Sequence, residues 1–307
     1  VTIHEPIGVE GETGKVAHEE MKLWNQALRY YRAQDWDQAE VALLNLSRMA
    51  PGRGLYGKYM ERVAHLRREP PEPGWNGVWK FETKKRELKM KVKVLGCSGG
   101  IGGRHLRTTS LLVDHDILID AGTGVGDLSL AELALIDHVF ITHSHLDHVA
   151  CLPFIVDTVG DMRNKPLTVH ATQATLEIIQ AHIFNWAIWP DFSEIPNRDK
   201  PFMRYAETRV GKAVKVEGRE MTPLPANHTV PAVGYRIDSG EGSLVFSGDT
   251  SVCDELWKAV NKIRNLRYLI IETAFSNRER QLAIASKHLC PDMLKGELLK
   301  LQREAEI

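Results

Sequence analysis

The pattern of apolar residues predicts a helical region near the beginning of the chain. Apolar side chains recur there at the i, i+3, i+4, i+7 spacing that forms one face of a helix: Trp24, Ala27, Leu28 and Tyr31. Asp35 is suited to cap a second helix, and Pro51-Gly52 is suited to end it. Residues 1–75 are therefore predicted to form a helical hairpin region similar in size to one tetratricopeptide unit, about 34 residues.

After a proline-rich break at Pro70–Trp75, the pattern changes to short apolar strands that alternate with helices. The predicted strands are 92–96, 111–113, 117–119, 139–142, 168–170, 235–237, 244–246 and 268–271. The predicted helices between them are 128–135, 149–159, 172–183, 252–262 and 278–287. We therefore expect a linker at residues 76–89 and an α/β domain at 90–307, in which helices cover the sheets.

Composition narrows the class of protein. Hydrophobic residues make up 43% of the chain and the formal net charge is −1, which allows a large core and does not favour a nucleic-acid partner. The basic run from Lys84 to Lys93 suits a solvated linker better than a polyanion-binding patch. Four irregularly spaced cysteines indicate a reducing compartment, so we expect a cytoplasmic protein. The chain contains no apolar stretch of about 18 residues, so the sequence predicts no membrane span.

The strongest chemical signal is the pattern His-x-His-x-Asp-His at residues 143–148, which follows an apolar strand. His143 and His145 are two residues apart in extended backbone, so they point the same way and can bind one ion. Asp147 and His148 come where the chain turns into the next helix, and they can face a second ion. Imidazole and carboxylate ligands together suit zinc, iron or manganese.

A metal site closes only when about four to six donors converge, and later residues can supply the missing ones. His228 follows an apolar stretch, and Asp249 ends a strand where its carboxylate can bridge two ions. Asp120 also ends a strand, where it either orients the ligand loop from behind or caps a turn.

Glu272 and His288 form a further candidate pair, because a carboxylate that holds an imidazole makes a proton donor. A capping or core histidine is the other interpretation of His288. Trp186 or Trp189 either stacks on the base of a substrate or packs in the core.

This set of motifs resembles the metallo-β-lactamase superfamily over residues 90–307. Within it, the flanking segments are similar to class II 3′,5′-cyclic-nucleotide phosphodiesterases, and more distantly to the ribonuclease Z branch. The segments that carry this similarity are His182–Trp186, Ile188–Pro190, Asn227–Tyr235 and Ile271–Asn277. The resemblance implies a four-layer αββα sandwich with two divalent metal ions at one edge, most simply zinc, with iron or manganese as alternatives.

The resemblance also implies the following roles: His143, His145 and His228 on the first ion, Asp147 and His148 on the second, and Asp249 as the bridge. Asp147 or His288, poised by Glu272, would protonate the leaving oxygen. The implied reaction is hydrolysis of cAMP or cGMP to the 5′-nucleotide by a hydroxide that bridges the ions. The family has one more histidine ligand beyond the helix that ends near residue 303, so we expect the domain to lack its C-terminal end here.

The N-terminal region resembles the tail that follows class III adenylate cyclase domains, in segments 1–8, 30–36, 59–62 and 70–78. This resemblance implies fusion or coupling to a nucleotide cyclase, and a homodimer is compatible with it. Two alternatives to the cyclic-nucleotide activity stay open. One is a ribonuclease Z-like or other ester hydrolase of the same fold. The other is a catalytically silent regulatory module that acts through the helical region.

Overall fold

A computed structural model of the chain describes residues 15–51, 53–75, 77, 90–103 and 105–302. These residues form two compact units. One contains the N-terminal helices together with Ser129–Leu135 and Val159–Lys165, and the other contains the remainder of the described chain. Apart from Gly77, the predicted linker at 76–89 lies outside the described residues, and so do the cyclase-like first eight residues.

The helical unit contains the predicted N-terminal helices. Its members are α1 (Lys15–Arg32), α2 (Trp36–Met49), α3 (Gly54–Arg68) and α4 (Leu130–Leu135). As expected, the Asp35 side chain caps α2 by accepting a hydrogen bond from the backbone N–H of Gln38 at 3.2 Å. Aromatic rings fill much of its core, and the ring centroids of Trp24 and Tyr59 lie 4.9 Å apart. The likeness to a tetratricopeptide unit stays a prediction.

A buried carboxylate fastens α4 into this unit. Glu40 of α2 is only 8% exposed, and it accepts a hydrogen bond at 2.6 Å from the backbone N–H of Ala131 in the first turn of α4. Arg67 of α3 donates to the other carboxylate oxygen at 2.8 Å. Negative charge at a helix N-terminus is stabilising, so Glu40 joins segments that are 91 residues apart in sequence.

The second unit is built on two sheets. Its strands are β1 (Val92–Gly96), β2 (Ser110–Val113), β3 (Ile117–Ile119), β4 (His138–Phe140), β5 (Leu167–Ala171), β6 (Met203–Glu207), β7 (Val214–Val216), β8 (Arg219–Pro225), β9 (Val233–Asp238), β10 (Ser243–Phe246) and β11 (Leu266–Ile270). Its helices are α5 (Leu146–Val149), α6 (Leu152–Val159), α7 (Gln173–His182), α8 (Asp254–Val260), α9 (Arg280–Ala285) and α10 (Pro291–Leu298). The sheet orders are β1-β2-β3-β4-β5-β6 and β11-β10-β9-β8-β7, so the predicted α/β class is confirmed.

The main core lies between the two sheets. Alternate residues of each strand face it: Leu111, Val113, Ile117, Ile119 and Phe140 from the first sheet, and Met221, Val233, Tyr235, Ile237 and Phe246 from the second. On the far side of the second sheet, Leu256 and Trp257 of α8 pack against Val245. In the first sheet, α7 lies against β6. This layering leaves the strand ends at one edge free to carry polar side chains.

Strands β6, β7 and β8 were absent from the prediction. Strand β8 contains Pro223 and Pro225, which ordinarily argue against a strand inside a sheet. The structure explains why they are tolerated. Strand β7 pairs only with residues 219–221 of β8, so both prolines lie beyond its end. The carbonyl of Pro223 accepts a hydrogen bond from Gly211 on that side at 2.8 Å, so the missing N–H groups face no neighbouring strand.

A buried ionic cluster ties the two sheets together. Arg219, at the start of β8, donates from Nη1 to Asp114 at 2.7 Å and to Asp116 at 2.8 Å, in the turn between β2 and β3. Its Nη2 also donates to Asp116. Arg219 and Asp116 are 7% and 5% exposed, so little water replaces these contacts when one partner is removed.

We expect Arg219→Met to lower the free energy of unfolding by roughly 3–5 kcal/mol, because it leaves the Asp116 carboxylate buried and unpaired. The matched control is Arg209→Met, which removes an exposed ion pair with Glu207 and should leave stability nearly unchanged. Urea unfolding followed by circular dichroism measures both. Equal, small losses in the two variants would contradict the assigned role of the cluster.

A buried histidine in the first sheet predicts a loss of stability in acid. His170 stacks on Phe140 with ring centroids 4.2 Å apart. Burial and the neighbouring His138 lower the pKa of His170 from 6.5 to about 3. The unfolded chain therefore takes up a proton near pH 6.5 that the folded chain takes up only near pH 3. Stability is fully present above the higher pKa and falls by about 1.4 kcal/mol per pH unit below it.

We expect His170→Gln to remove this acid sensitivity. Between pH 7 and pH 5, the wild type should lose about 2 kcal/mol more stability than the variant. Urea unfolding at both pH values measures the difference, and other titrating groups cancel because both proteins carry them. Equal losses in the two proteins would show that His170 is not buried in its neutral form.

Candidate metal centre

The candidate site lies where strands of both sheets end and deliver polar side chains. Asp120 follows β3, and the loop after β4 leads to His143. In the second sheet, His228 follows β8, Asp249 follows β10 and Glu272 follows β11. The predicted site residues, far apart in sequence, are thus brought to neighbouring loops by the topology of the two sheets.

One group of donors contains His143, His145, His228 and Asp249, whose ligand atoms all lie within 4.8 Å of one another. His228 Nε2 lies 3.1 Å from His145 Nδ1, and His143 Nε2 lies 3.7 Å from Asp249 Oδ2. Three imidazoles and one carboxylate that converge in this way match the donor set of a divalent transition metal.

A second group contains Asp147, His148 and Asp249. His148 Nε2 lies 3.3 Å from Asp249 Oδ2 and 3.6 Å from Asp147 Oδ2. Asp249 belongs to both groups, so a single carboxylate can serve two ions. The arrangement unites every residue for which the sequence predicted a metal-binding role.

The hydrogen bonds of the histidine rings test whether a metal fits. The outward Nδ1 atoms have partners: Thr142 Oγ1 for His143 at 3.0 Å, Asp120 Oδ2 for His148 at 2.7 Å, and the Lys287 carbonyl for His228 at 3.1 Å. The inward Nε2 atoms of His143 and His148 are buried and have no hydrogen-bond partner among the described residues. Buried nitrogens that are turned inward in this way fit metal ions, whose ligands are held by hydrogen bonds on the outer side.

Asp120 and Thr142 hold the ligand loop from behind. Asp120 is fully buried, and its carboxylate accepts hydrogen bonds from the Thr142 backbone N–H at 2.7 Å and from the Thr142 hydroxyl at 2.8 Å. Strand β4 ends at Phe140, whereas the sequence predicted that it would continue to Thr142. Sequence reasoning missed the role of Thr142, because only the tertiary structure brings its hydroxyl to Asp120.

Close backbone approaches keep this loop in place. Asp120 has φ +57°, in the left-handed region that non-glycine residues rarely occupy. A Cβ added at Gly122 would lie 2.4 Å from the carbonyl oxygen of Asp147. Gly248 has φ +60°, and a Cβ there would lie 2.9 Å from the Val233 carbonyl oxygen. The backbone positions of the loops that carry Asp147 and Asp249 therefore require glycine at positions 122 and 248.

Electrostatics keep the central groups in their ligand forms. Burial lowers the pKa of His143 to about 2, and burial also lowers the pKa of His145 and of His228. Burial alone would raise the pKa of Asp249, but the His148 ring, whose Nε2 lies 3.3 Å from Oδ2, and the other surrounding imidazoles bring it below its usual value. These imidazoles are therefore neutral and this carboxylate is ionised at neutral pH, as metal binding requires.

Beside this centre, Glu272 and His288 form the expected pair. His288 Nδ1 donates to Glu272 Oε1 at 2.9 Å. The Glu272 carboxylate also accepts hydrogen bonds from the backbone N–H groups of Thr250, Ala274 and Leu289 at 3.0–3.3 Å. The hydrogen bond to Glu272 raises the pKa of His288 against the opposing effect of burial. The ring can therefore carry a proton on Nε2, which has no tie to Glu272.

The two tryptophans differ in environment. Trp189 packs against Phe154, with ring centroids 5.3 Å apart. Trp186 is 60% exposed and has φ +65°. Trp189 therefore has a packing role in the structure, whereas base stacking by Trp186 stays a prediction.

Comparisons with known proteins agree with this geometry. A model of the beta-lactamase superfamily domain matches residues 115–304. The chain is 25% identical to a probable 3′,5′-cyclic-nucleotide phosphodiesterase of Yersinia pestis, over 69% of this chain and 72% of that protein. It is 24% identical to a ribonuclease Z of Clostridium acetobutylicum, over 69% of this chain and 65% of that protein. The crystal structure of unliganded yeast PDE1 is similar in fold, with a TM-score of 0.59 and 18% identity over 68% of this chain and 82% of that one.

The chain belongs to the family of beta-lactamase superfamily domains, because the family match covers more than half of its length. The predicted superfamily is thereby confirmed, and so is the predicted class of enzyme, a metal-dependent hydrolase. Its donor set implies divalent metal ions. Among the residues that the structure describes, none of the helices is both long and apolar enough to span a membrane.

Proposed function

We propose that the chain hydrolyses 3′,5′-cyclic nucleotides, cAMP or cGMP, to 5′-nucleotides. The observation that carries this proposal is the position of Asp249, which belongs to both donor groups and lies 4.0 Å from His288 Nδ1. A two-ion centre beside a proton donor suits in-line displacement at phosphorus. The name of the Yersinia pestis relative supports the substrate class.

Zinc is the proposed metal, with iron or manganese as alternatives. In this proposal the first donor group would hold one ion and the second group the other, and Asp249 would serve both. When bound, the ions polarise a phosphoryl oxygen and lower the pKa of an attacking water. The protein contributes the fixed positions of these ligands, with Asp120 and Thr142 orienting the rings of His148 and His143.

The proton for the leaving 3′ oxygen comes, in this proposal, from His288 Nε2. Glu272 fixes the ring through Nδ1 and stabilises its protonated form. Asp147, the other predicted proton donor, has a carboxylate oxygen 3.6 Å from His148 Nε2, within the second donor group. Metal binding would occupy that carboxylate, so His288 is the better candidate.

The Thr142 hydroxyl offers a test of how the ligand rings are oriented. We expect Thr142→Val to weaken zinc binding by about 10–100-fold, because His143 loses the acceptor for Nδ1 and Asp120 loses a donor. Thr142→Ser keeps the hydroxyl and serves as the control. Competition with a chromophoric chelator measures the affinity. Equal affinities for the Val and Ser variants would mean that the hydroxyl does not orient His143.

A substrate panel tests the proposed reaction. The metal-loaded chain is offered cAMP, cGMP, 2′,3′-cyclic AMP and a transfer-RNA precursor with a 3′ extension, and the products are identified by chromatography. We expect 5′-AMP or 5′-GMP from the 3′,5′-cyclic substrates. Cleavage of the RNA alone would favour the ribonuclease Z alternative, which the Clostridium acetobutylicum relative supports. Bound metal without turnover of any substrate would favour a silent regulatory module.

The remaining expectations concern partners. The resemblance of the N-terminal segments to a cyclase tail supports a proposed coupling to a nucleotide cyclase. The cyclase that makes the cyclic nucleotide and the hydrolase that degrades it would then be parts of one protein. The homodimer and the cytoplasmic location stay predictions, and light scattering of the purified chain tests the first of them.

A further inference from the structure

Lys287 contacts the metal centre and adjoins the proton donor without belonging to either. Lys287 lies in the turn between α9 and α10, directly before His288. Its φ is +55°, in the left-handed region, where a residue with a side chain is strained. Such a conformation persists only when surrounding contacts enforce it.

Both the backbone and the side chain of Lys287 contact His228. The Lys287 carbonyl accepts a hydrogen bond from His228 Nδ1 at 3.1 Å. Its ammonium Nζ donates to the backbone carbonyl of His228 at 3.0 Å. Lys287 is exposed overall, yet its carbonyl and its ammonium group both contact a histidine that lies 59 positions earlier in the sequence.

The first of these contacts selects the tautomer of His228. A ring that donates from Nδ1 keeps the lone pair on Nε2, and His228 Nε2 is the atom that faces His145 Nδ1. The second contact holds the left-handed turn against the loop of His228, so that the carbonyl stays in place. The same turn carries His288, whose ring centroid lies 4.9 Å from that of His228.

We propose that Lys287 is a positioning residue, which sets the tautomer and orientation of His228 and ties the turn of the proton donor His288 to the first donor group. The proposal rests on the proposed role of His228 as a metal ligand. It does not depend on which phosphodiester the chain hydrolyses.

The test uses Lys287→Met, which removes the ammonium donor but keeps the aliphatic stem. We expect the zinc affinity to fall by about tenfold in chelator competition. Lys287→Arg, which keeps a donor at the end of the stem, should retain most of the affinity. Lys295→Met, which makes the same substitution at an exposed position of α10, is the matched control and should leave zinc affinity unchanged. A wild-type affinity in Lys287→Met would overturn the proposal.

A second measurement guards against a general loss of folding. Nitrogen NMR of the metal-free chain should show His228 as the Nδ1-protonated tautomer in the wild type and as a mixture in Lys287→Met. A pure Nδ1-protonated ring in the variant would refute the role of the ammonium group, whatever its melting temperature. Neither readout involves a nucleotide, so a chain that fails to hydrolyse cyclic nucleotides would disprove the proposed function and leave this inference standing.

Discussion

Asp249→Asn is expected to lower kcat/KM for cyclic AMP by more than about a thousandfold, which corresponds to roughly 4 kcal/mol of lost transition-state stabilisation. The reason is that Asp249 is the only residue shared by the two donor groups identified among the described residues. An amide of the same shape offers a neutral oxygen in place of the carboxylate, so the first group loses its only carboxylate and the second keeps only that of Asp147. Loss of bound metal should accompany the loss of activity.

The control for this variant is Asp254→Asn, five positions further along the same connection. Asp254 has a side chain that is 70% exposed and paired with Lys300, so its substitution should leave activity and metal content nearly unchanged. Elemental analysis and a coupled phosphate-release assay measure both proteins. Full activity in Asp249→Asn would rule out a bridging role for this carboxylate.

His288→Asn is expected to show the second largest effect, and the effect should depend on the leaving group. Loss of a general acid costs about 10²–10⁴-fold when the leaving oxygen needs a proton, as the 3′ oxygen of a cyclic nucleotide does. Bis(p-nitrophenyl) phosphate releases a stable phenolate without a proton, so its hydrolysis should change little. The asparagine amide can still donate to Glu272 in place of Nδ1, which leaves the carboxylate satisfied.

Glu272→Gln provides the companion variant. It keeps a hydrogen bond to the ring but removes the charge that stabilises the protonated form of His288. We expect a smaller loss with cyclic AMP than in His288→Asn, and again little change with the aryl ester. Equal losses on both substrates in His288→Asn would point to a structural role for the ring instead of proton transfer.

The sequence was most informative where chemistry and spacing coincide. The His-x-His-x-Asp-His pattern predicted its own position at the end of β4, because ligand-type residues directly after an apolar strand are exposed to one sheet edge. The order of His228 and Asp249 after it indicated two further ligands, and the family resemblance implied how the ligands divide into two donor groups. In contrast, the contacts of Thr142 and Lys287 arise from left-handed turns and from loops that meet only in the folded chain.

Fold elements were missed for similar physical reasons. Strand β8 carries prolines that are tolerated only because β7 is short, which a single sequence cannot reveal. Helix α4 was predicted as a helix but was assigned to the second domain, because nothing local shows that Glu40 caps it from the N-terminal region. Local patterns therefore predicted most of the elements but not β6, β7 and β8, whereas long-range contacts decide which unit each element joins.

The most direct measurement is a metal titration of the metal-free chain in which bound zinc and the production of 5′-AMP from cyclic AMP are followed together. Because the two donor groups share Asp249, we expect turnover to approach its maximum only as occupancy approaches two ions per chain. In Asp249→Asn, neither binding nor turnover should reach that level. Full turnover in the presence of excess chelator, or two bound ions with no hydrolysis of cyclic AMP or cyclic GMP, would contradict the proposed two-metal phosphodiesterase.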